Sequence, residues 1–543
     1  MSPPLVALLL AVAASPVAEP TLDTVVVCPT EFRQAMKPWL ELRTSQGHQI
    51  GVLSNLGSAE EIRGQILRRV QGGRLRFVLL VGGADPMLYK DAVVRARSVP
   101  MHYAKARVNV KWGSTPTIPT DNWYVQTDKA SDENPVPAVA IGRLPAESPE
   151  ELTAIIKKIV AYERSTDFGP WRQRMNFVAG VGNFGPLADT VLESAAKMFL
   201  TQNIPAEYHV SMTYGNWRSP YCPDPRRIHE AAIERLDEGS LFWVYIGHSA
   251  ISETARMEVP GGDYPILEAA DASALRGEVG RPIAMFLSCY AGALDARDRC
   301  LASALIGSPG GPVAVVAGTR VTMPYALTVM ATNLTNECFR GRCETLGEAM
   351  LHAKQNMLKE PSKDDARRAM LDSIASMISP SGKELAVERA EHVLMFNLIG
   401  DPLLRMRHPK PMEVRIAKAV PAGGSLQIDG TSPIDGRATV ELVLRRDRIR
   451  GSWPSRSVYP AGDEELASLD EVYQRANDRR VKRVELGVRE GRFQTQIDVP
   501  AEAAGEYHVC VFVAGKTDMA MGSAAVEVVR PRKSGSIMAA MLP

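Results

Sequence analysis

Short, continuously apolar runs closed by turn residues alternate with amphipathic stretches from residue 21 to residue 317. Such a run predicts a buried strand, and apolar residues spaced by three and four predict a helix. Thr24 to Val27 reads as a strand, Phe32 to Gln46 as a helix, and Gly51 to Leu53 as the start of the next strand. Ser58 and Glu61 form a capping box, in which a hydroxyl and a carboxylate satisfy the first orphan amides of a helix. Ile62, Ile66, Leu67 and Val70 mark that helix's apolar face. Phe77 to Val81 is a buried strand closed by Gly82 and Gly83, and Ala138 to Ile141 is another. A second capping box, Ser148 to Glu151, has Pro149 at the tolerated first helical position and opens a helix carrying Leu152, Ile155, Ile156, Ile159 and Val160.

The pattern then restarts with a strand over Met175 to Val181 and helices over Leu187 to Thr201 and Ile228 to Leu236. Two apolar runs end in reactive side chains: Leu241 to Gly247 leads to His248, and Ile283 to Ser288 leads to Cys289. Cys300 to Leu305 supplies helix, and Val313 to Ala317 a further strand. Alternating strand and helix imply parallel sheets with helices on both faces, and the restart implies two such α/β subdomains, over 19–168 and 169–409. Beyond residue 410 the strands become short and partly alternating, as in Met412 to Ile416, Thr439 to Leu444 and His508 to Val513, with Gly, Pro and Asp turns between them. That predicts a small β-sandwich over 410–531, a charged helix-like insertion at 462–482 and a loose tail over 532–543.

Composition narrows the function classes. A chain of 543 residues with 45% hydrophobic and 23% charged residues has the makeup of an ordinary globular protein of two to four domains. A formal net charge of +1 gives no electrostatic case for nucleic acid or an anionic membrane as partner. Leu5 to Ala14, followed by small residues through Ala18, predicts a signal peptide over 1–18, although no Lys or Arg precedes the apolar stretch. The mature protein is therefore expected to be secreted or periplasmic. No later segment reaches the ~18 apolar residues needed to span a bilayer. Seven cysteines leave at least one thiol unpaired in an exported chain, and Cys289 is the natural candidate. Cys338 and Cys343 are close enough in sequence for a local disulfide.

Side chains just past the carboxyl ends of parallel strands line the ligand crevice of an open sheet. If the two reactive runs are neighbours, His248 and Cys289 sit side by side, as a Cys/His nucleophilic enzyme requires. The plainer alternatives are a cysteine buried as a small hydrophobe and an incidental Gly-His. Gly261 to Asp263 and Ser308 to Pro312 are Gly-rich but lack the Lys-Ser/Thr of a phosphate loop. No His-x-x-x-His pair suits zinc, and no metal ligand is assigned.

The order of several fragments carries a family likeness. They are the opening strand and helix, Leu79 to Gly82, Ile141-Gly142-Arg143 with the capped helix to Arg164, Gly247-His248, Ser288-Cys289, and Ile399-Gly400-Asp401-Pro402. Over roughly 21–440 the chain resembles the gingipain-type cysteine peptidases of family C25. The resemblance implies caspase-like α/β subdomains with flanking helices, followed by an immunoglobulin-like β-sandwich. It implies a secreted cysteine endopeptidase with Cys289 as nucleophile, His248 as its base, and the backbone amides of Cys289 and Ser249 as oxyanion donors. Serine stands at 249 where the family usually has glycine, so that donor survives only if the backbone angle tolerates a side chain.

Three departures qualify the likeness. The acid expected near the catalytic His falls near Gly182, so His248 is expected to use a backbone carbonyl or another carboxylate. The family's specificity Asp aligns with Asp189, which also reads as a helix N-terminal acid. The family's pocket-wall Trp after Ser252 to Ala255 is replaced by Arg256, which could pair with Asp189 or favour an acidic substrate residue. The partner expected is a protein or peptide, and no cofactor is required. Asp85, Asp121, Asp128 and Asp132 offer oxygen ligands for structural calcium, as family members use, without EF-hand spacing. The competing readings are an inactive relative serving binding or assembly, and a transpeptidase-like protein processor. No long segment lies between the signal and the first strand, so latency is expected to differ from that of gingipains.

Overall fold

The computed structural model describes residues 22–84, 91–127, 131–182, 203–361, 365–379, 381–449, 456–460 and 462–530. The strands that the apolar runs predict assemble into one sheet with two further strands that no run announced, His209–Tyr214 and Phe396–Ile399. Its ten strands are β1 (Thr24–Val27), β2 (Ile50–Leu53), β3 (Phe77–Val81), β4 (Ala140–Leu144), β5 (Arg174–Ala179), β6 (His209–Tyr214), β7 (Phe242–Ile246), β8 (Ile283–Leu287), β9 (Ala314–Gly318) and β10 (Phe396–Ile399). They lie in the order β2-β1-β3-β4-β10-β9-β8-β7-β5-β6.

Neighbouring strands are parallel everywhere except at β9 and β10. The two α/β halves therefore share one sheet and run in opposite directions across that seam. The carboxyl edge of one half faces the same way as the amino edge of the other. Side chains alternate between the two faces. On one, Val26, Phe77, Leu79 and Val81 pack in a core with Trp39 and Ile155. On the other, Val25, Val27, Val78 and Leu80 meet Ile62 and Ile66.

Several boundaries move for physical reasons. The expected helix from Phe32 to Gln46 is a 3-10 turn, Thr30–Phe32, and then an α-helix, Lys37–Ser45. Pro38 has no N–H to give and is tolerated only in the first turn, so the regular helix begins there. Ser58 and Glu61 make the reciprocal capping box. Ser148 accepts the Glu151 amide at 3.2 Å, but Glu151 turns back to the Glu147 amide at 3.0 Å, so this box is not reciprocal. The strand expected at Ala138 begins at Ala140, and the helix expected over Leu187 to Thr201 lies outside the described residues.

After β10 the chain enters a sandwich of a six-stranded and a three-stranded sheet. Its core sets Val440, Leu442, Val509 and Val511 against Leu426, Ile428, Phe493 and Ile497. The insertion is a helix, Asp463–Asn477, and it docks on β6, the last strand of the large sheet. The Asn477 side chain accepts the Met212 N–H at 2.7 Å and donates to the Met212 carbonyl at 3.0 Å. That carboxamide copies the pairing of a neighbouring strand, one way of covering an exposed sheet edge.

Candidate active site

Strands β7 and β8 are adjacent and parallel, with Ile246 opposite Leu287. His248 and Cys289 each stand two residues past that pair, so the two turns leave the same edge together. Both turns need unusual backbone. Gly247 has φ +148°, and Tyr290, directly after the cysteine, has φ +55°. A bulky residue in the left-handed region is uncommon and is usually held by its surroundings. Here the Tyr290 amide donates to the Arg320 carbonyl at 3.2 Å and the Gly292 amide to the Gly318 carbonyl at 2.9 Å. The Cys289 turn is thereby laced to the end of β9.

The half-buried Cys289 sulfur faces Thr322. The Thr322 amide donates to it at 3.4 Å, and the Thr322 hydroxyl lies 3.6 Å away. Either the hydroxyl or the thiol can be the donor in that contact. Six further thiols are present. Burial pushes those of Cys28, Cys222 and Cys510 up to about 12 and raises those of Cys300 and Cys338. Burial and Glu337 push Cys343 up to about 12. All seven cysteines are free, so Cys338 and Cys343 do not form the local disulfide their spacing allowed.

His248 is exposed, and its Nε2 lies 2.5 Å from the Gly182 carbonyl oxygen. That geometry requires a protonated Nε2, because the carbonyl only accepts. Behind the ring, the Tyr245 hydroxyl donates to the His248 carbonyl at 2.7 Å and accepts the Ala255 amide at 3.1 Å. The Ala255 amide also donates to the His248 carbonyl at 2.9 Å. Ser249 takes an ordinary negative φ, the glycine-only conformation having moved to Gly247. Its hydroxyl bonds Ser288 Oγ at 2.7 Å and the Cys289 carbonyl, tying the His turn to the Cys turn. Among the described residues, the Cys289 and Ser249 amides have no backbone acceptor.

Arg256 lies on a short hairpin, Arg256–Val259 with Gly262–Pro265, beyond the His turn. Its guanidinium pairs with Asp263 and, at 3.2 Å, with Glu268. Asp189 lies outside the described residues, as do Asp85 and Asp128. Asp121 is buried and holds Arg143 through both oxygens, at 2.6 and 2.7 Å, and Asp132 faces His102 at 4.0 Å.

Sequence reasoning missed Thr322 and the pair behind it. Arg320, nearly buried, grips Asp295 at 2.9 and 2.6 Å and also bonds Thr115 and the Thr117 carbonyl, fixing the turn that presents Thr322. Thr322 lies beyond the end of β9, outside the strand ends that the apolar runs marked, and joins the site only because β9 sits beside β8.

Comparison with known proteins agrees with this architecture. A profile of peptidase family C25 matches residues 17–407. No curated protein sequence matches the chain. Among solved structures, the Arg-specific cysteine proteinase gingipain R (RgpB) superposes with a TM-score of 0.52 at 16% identity, covering 95% of this chain and 100% of that one. The complex of Porphyromonas gingivalis RgpB pro- and mature domains gives 0.50 at 17% identity, covering 93% and 100%. A structure described only as a protease gives 0.52 at 14%, covering 94% and 98%. At these identities the superpositions speak to fold, and they agree with a caspase-like α/β sheet followed by a β-sandwich. The family match spans well over half of the chain: it belongs to peptidase family C25 and is a cysteine-type peptidase, a hydrolase of peptide or protein substrates.

Proposed function

We propose that the protein is an exported endopeptidase in which Cys289 is the nucleophile and His248 the general base and acid. The observation that carries this reading is the register of β7 and β8, which sets both residues two positions past one aligned pair. With Nε2 protonated toward Gly182, Nδ1 is the basic nitrogen of the ring. His248 takes the Cys289 proton as sulfur attacks the scissile carbonyl. The Cys289 and Ser249 amides hold the oxyanion. The carbon–nitrogen bond then breaks, and His248 gives its proton to the leaving amine. Water attacks the resulting thioester with His248 again accepting the proton, which returns to sulfur as the acid leaves.

Asp189 and Arg256 are the residues we propose for substrate recognition. Two carboxylates already match the Arg256 charge, so the hairpin wall offers little to an acidic substrate residue and favours a basic one. Export rests on the apolar stretch from Leu5 to Ala14.

The test is cleavage of a mixed peptide library, read by mass spectrometry, by the wild type and by Cys289→Ala, with reductant and calcium present. Internal cleavage after one residue class, lost in the variant, is expected. Equal cleavage by both proteins overturns the assignment of the nucleophile. No cleavage by a folded wild type favours an inactive binding relative. Product ligation on adding an amine would indicate transpeptidation.

A further inference from the structure

A second cluster of reactive side chains lies away from the β7–β8 edge. The helices Pro324–Phe339 and Leu346–Leu358 pack against each other and are joined by a short turn. Glu337 comes from the first helix, Cys343 from the turn and His352 from the second helix. Their ligand atoms form a nearly equilateral triangle. Cys343 Sγ is 3.4 Å from His352 Nδ1 and 3.5 Å from Glu337 Oε2, and those two atoms are 3.5 Å apart. A tetrahedral zinc ion, with bonds of ~2.0–2.3 Å to oxygen, nitrogen and sulfur, holds its ligands about 3.3–3.6 Å apart. The triangle has the size of one face of that tetrahedron.

The surroundings orient each ligand. Asn356 Nδ2 donates to Glu337 Oε1 at 2.9 Å, which turns Oε2 toward the cysteine. The Cys343 amide donates to the Glu337 carbonyl at 3.1 Å, and His408 bonds the Cys343 carbonyl at 2.7 Å. Arg342, directly before the cysteine, adopts φ +52°, so the turn is bent to deliver this side chain. Partners of this kind fix the direction of metal ligands. His352 is 45% exposed, so the fourth corner is open to solvent. The stretch of helix from Pro324 to Glu337 spans about 20 Å, which separates the cluster from Thr322 and the active-site turn.

We propose that Glu337, Cys343 and His352 bind a divalent transition ion of the zinc class, with water as fourth ligand. The mixed oxygen, nitrogen and sulfur donors select zinc over calcium or magnesium, which take oxygen. On binding, the Cys343 thiol loses its proton to solvent as the sulfur–metal bond forms. The ion would clip both helices to the turn that His408 and the Arg342–Pro409 contact fasten to the start of the sandwich.

The test is cobalt titration of the full chain carrying Cys289→Ala, so that the active-site thiol contributes nothing. One ion per chain is expected, with a thiolate-to-cobalt charge-transfer band, the intense visible bands of a four-coordinate ion, and displacement by zinc. Cys343→Ser should abolish the charge-transfer band. His352→Gln, at an exposed position that leaves the fold intact, should weaken binding by about tenfold or more, the scale already reached by second-shell partners. A band that survives Cys343→Ser, unchanged affinity in His352→Gln, or no band in the folded parent chain overturns the proposal.

Discussion

Around the cysteine, single residues carry geometry that no neighbour can replace. A Cβ at Gly247 would lie 3.1 Å from the Tyr245 hydroxyl and 3.2 Å from the Gly180 amide, at a φ that L-residues avoid. Gly247→Ala must therefore shift the His248 backbone, which that same hydroxyl holds. With His248 as the proposed base, its displacement costs rate more than stability, and kcat/KM should fall about 10- to 100-fold while the circular dichroism spectrum is kept. Thr322→Val removes the hydroxyl beside the Cys289 sulfur, which can donate to a thiolate there, and leaves the backbone amide in place. A hydrogen bond of about 1 kcal/mol corresponds to roughly fivefold, so iodoacetamide should alkylate Cys289 about five times more slowly at neutral pH. An unchanged rate in Thr322→Val would show that the hydroxyl does not support the thiolate. The positions of His248 and Cys289 past two neighbouring strand ends were legible because each ends an apolar run. Thr322 was not, because its turn becomes part of the site only when topology sets β9 beside β8. The Gly182 carbonyl has no side-chain signature at all.

Elements were legible in proportion to how far their pattern reflects burial on the two faces of a sheet. The strands β3, β7 and β8 are apolar throughout because helices or neighbouring segments cover both sides, and they fall where the apolar runs stand. The helix Leu385–Met395 has no such signature. Glu388, Arg389, Glu391 and His392 are all buried in it, so polarity hides an interior element. Its polar groups cap other segments. His392 accepts the Met323 amide with Nε2 at 2.9 Å and bonds the Glu388 carbonyl through Nδ1 at 2.7 Å, a pattern that only the neutral ring makes. Burial holds its pKa down at about 4, against an ordinary 6.5. Between those values the unfolded chain binds the proton and the folded one does not. The contribution of His392 is thus intact above pH 6.5 and is lost as pH falls toward 4, by up to about 3 kcal/mol. Glu388, raised by burial, works in the opposite direction, since the folded state protonates it more readily. Urea unfolding of the wild type and of His392→Gln at pH 7 and at pH 4.5 separates the two groups. The wild type should lose more stability between those conditions than the variant, and parallel losses would exclude His392 as the acid-sensitive group.

Across the whole molecule, the stretch Ile399-Gly400-Asp401-Pro402 joins parts that are far apart in the chain. Asp401 is fully buried and accepts from Arg43 at 2.6 Å and from the Trp39 indole, while its other oxygen takes the Leu403 amide at 2.9 Å. Arg43 also holds Glu163 at 2.9 Å, and Glu163 accepts the Arg405 amide at 2.8 Å. One guanidinium therefore links the first helix, the capped helix Pro149–Arg164 and the turn after β10, which sits at the seam between the two halves of the sheet. The family likeness pointed to this motif, but no local pattern says that an aspartate after a strand meets an arginine some 360 residues earlier. A buried pair adds little over a well-packed apolar substitute, yet removing one partner strands the other charge at a cost of about 3–5 kcal/mol. Arg43→Ala strands two carboxylates, so it should destabilise by at least that amount in urea. Arg43→Lys should recover only part of it, because an ammonium cannot serve Asp401 and Glu163 with the planar geometry of the guanidinium. Asp401→Asn keeps one acceptor oxygen, for either the Trp39 side or the Leu403 amide, and turns an NH2 toward the other donor. It removes the charge but leaves Arg43 its Glu163 partner, so it should cost less than Arg43→Ala. If the order of these two variants is reversed, the network owes its strength to the carboxylate's hydrogen bonds and not to the arginine that joins these segments.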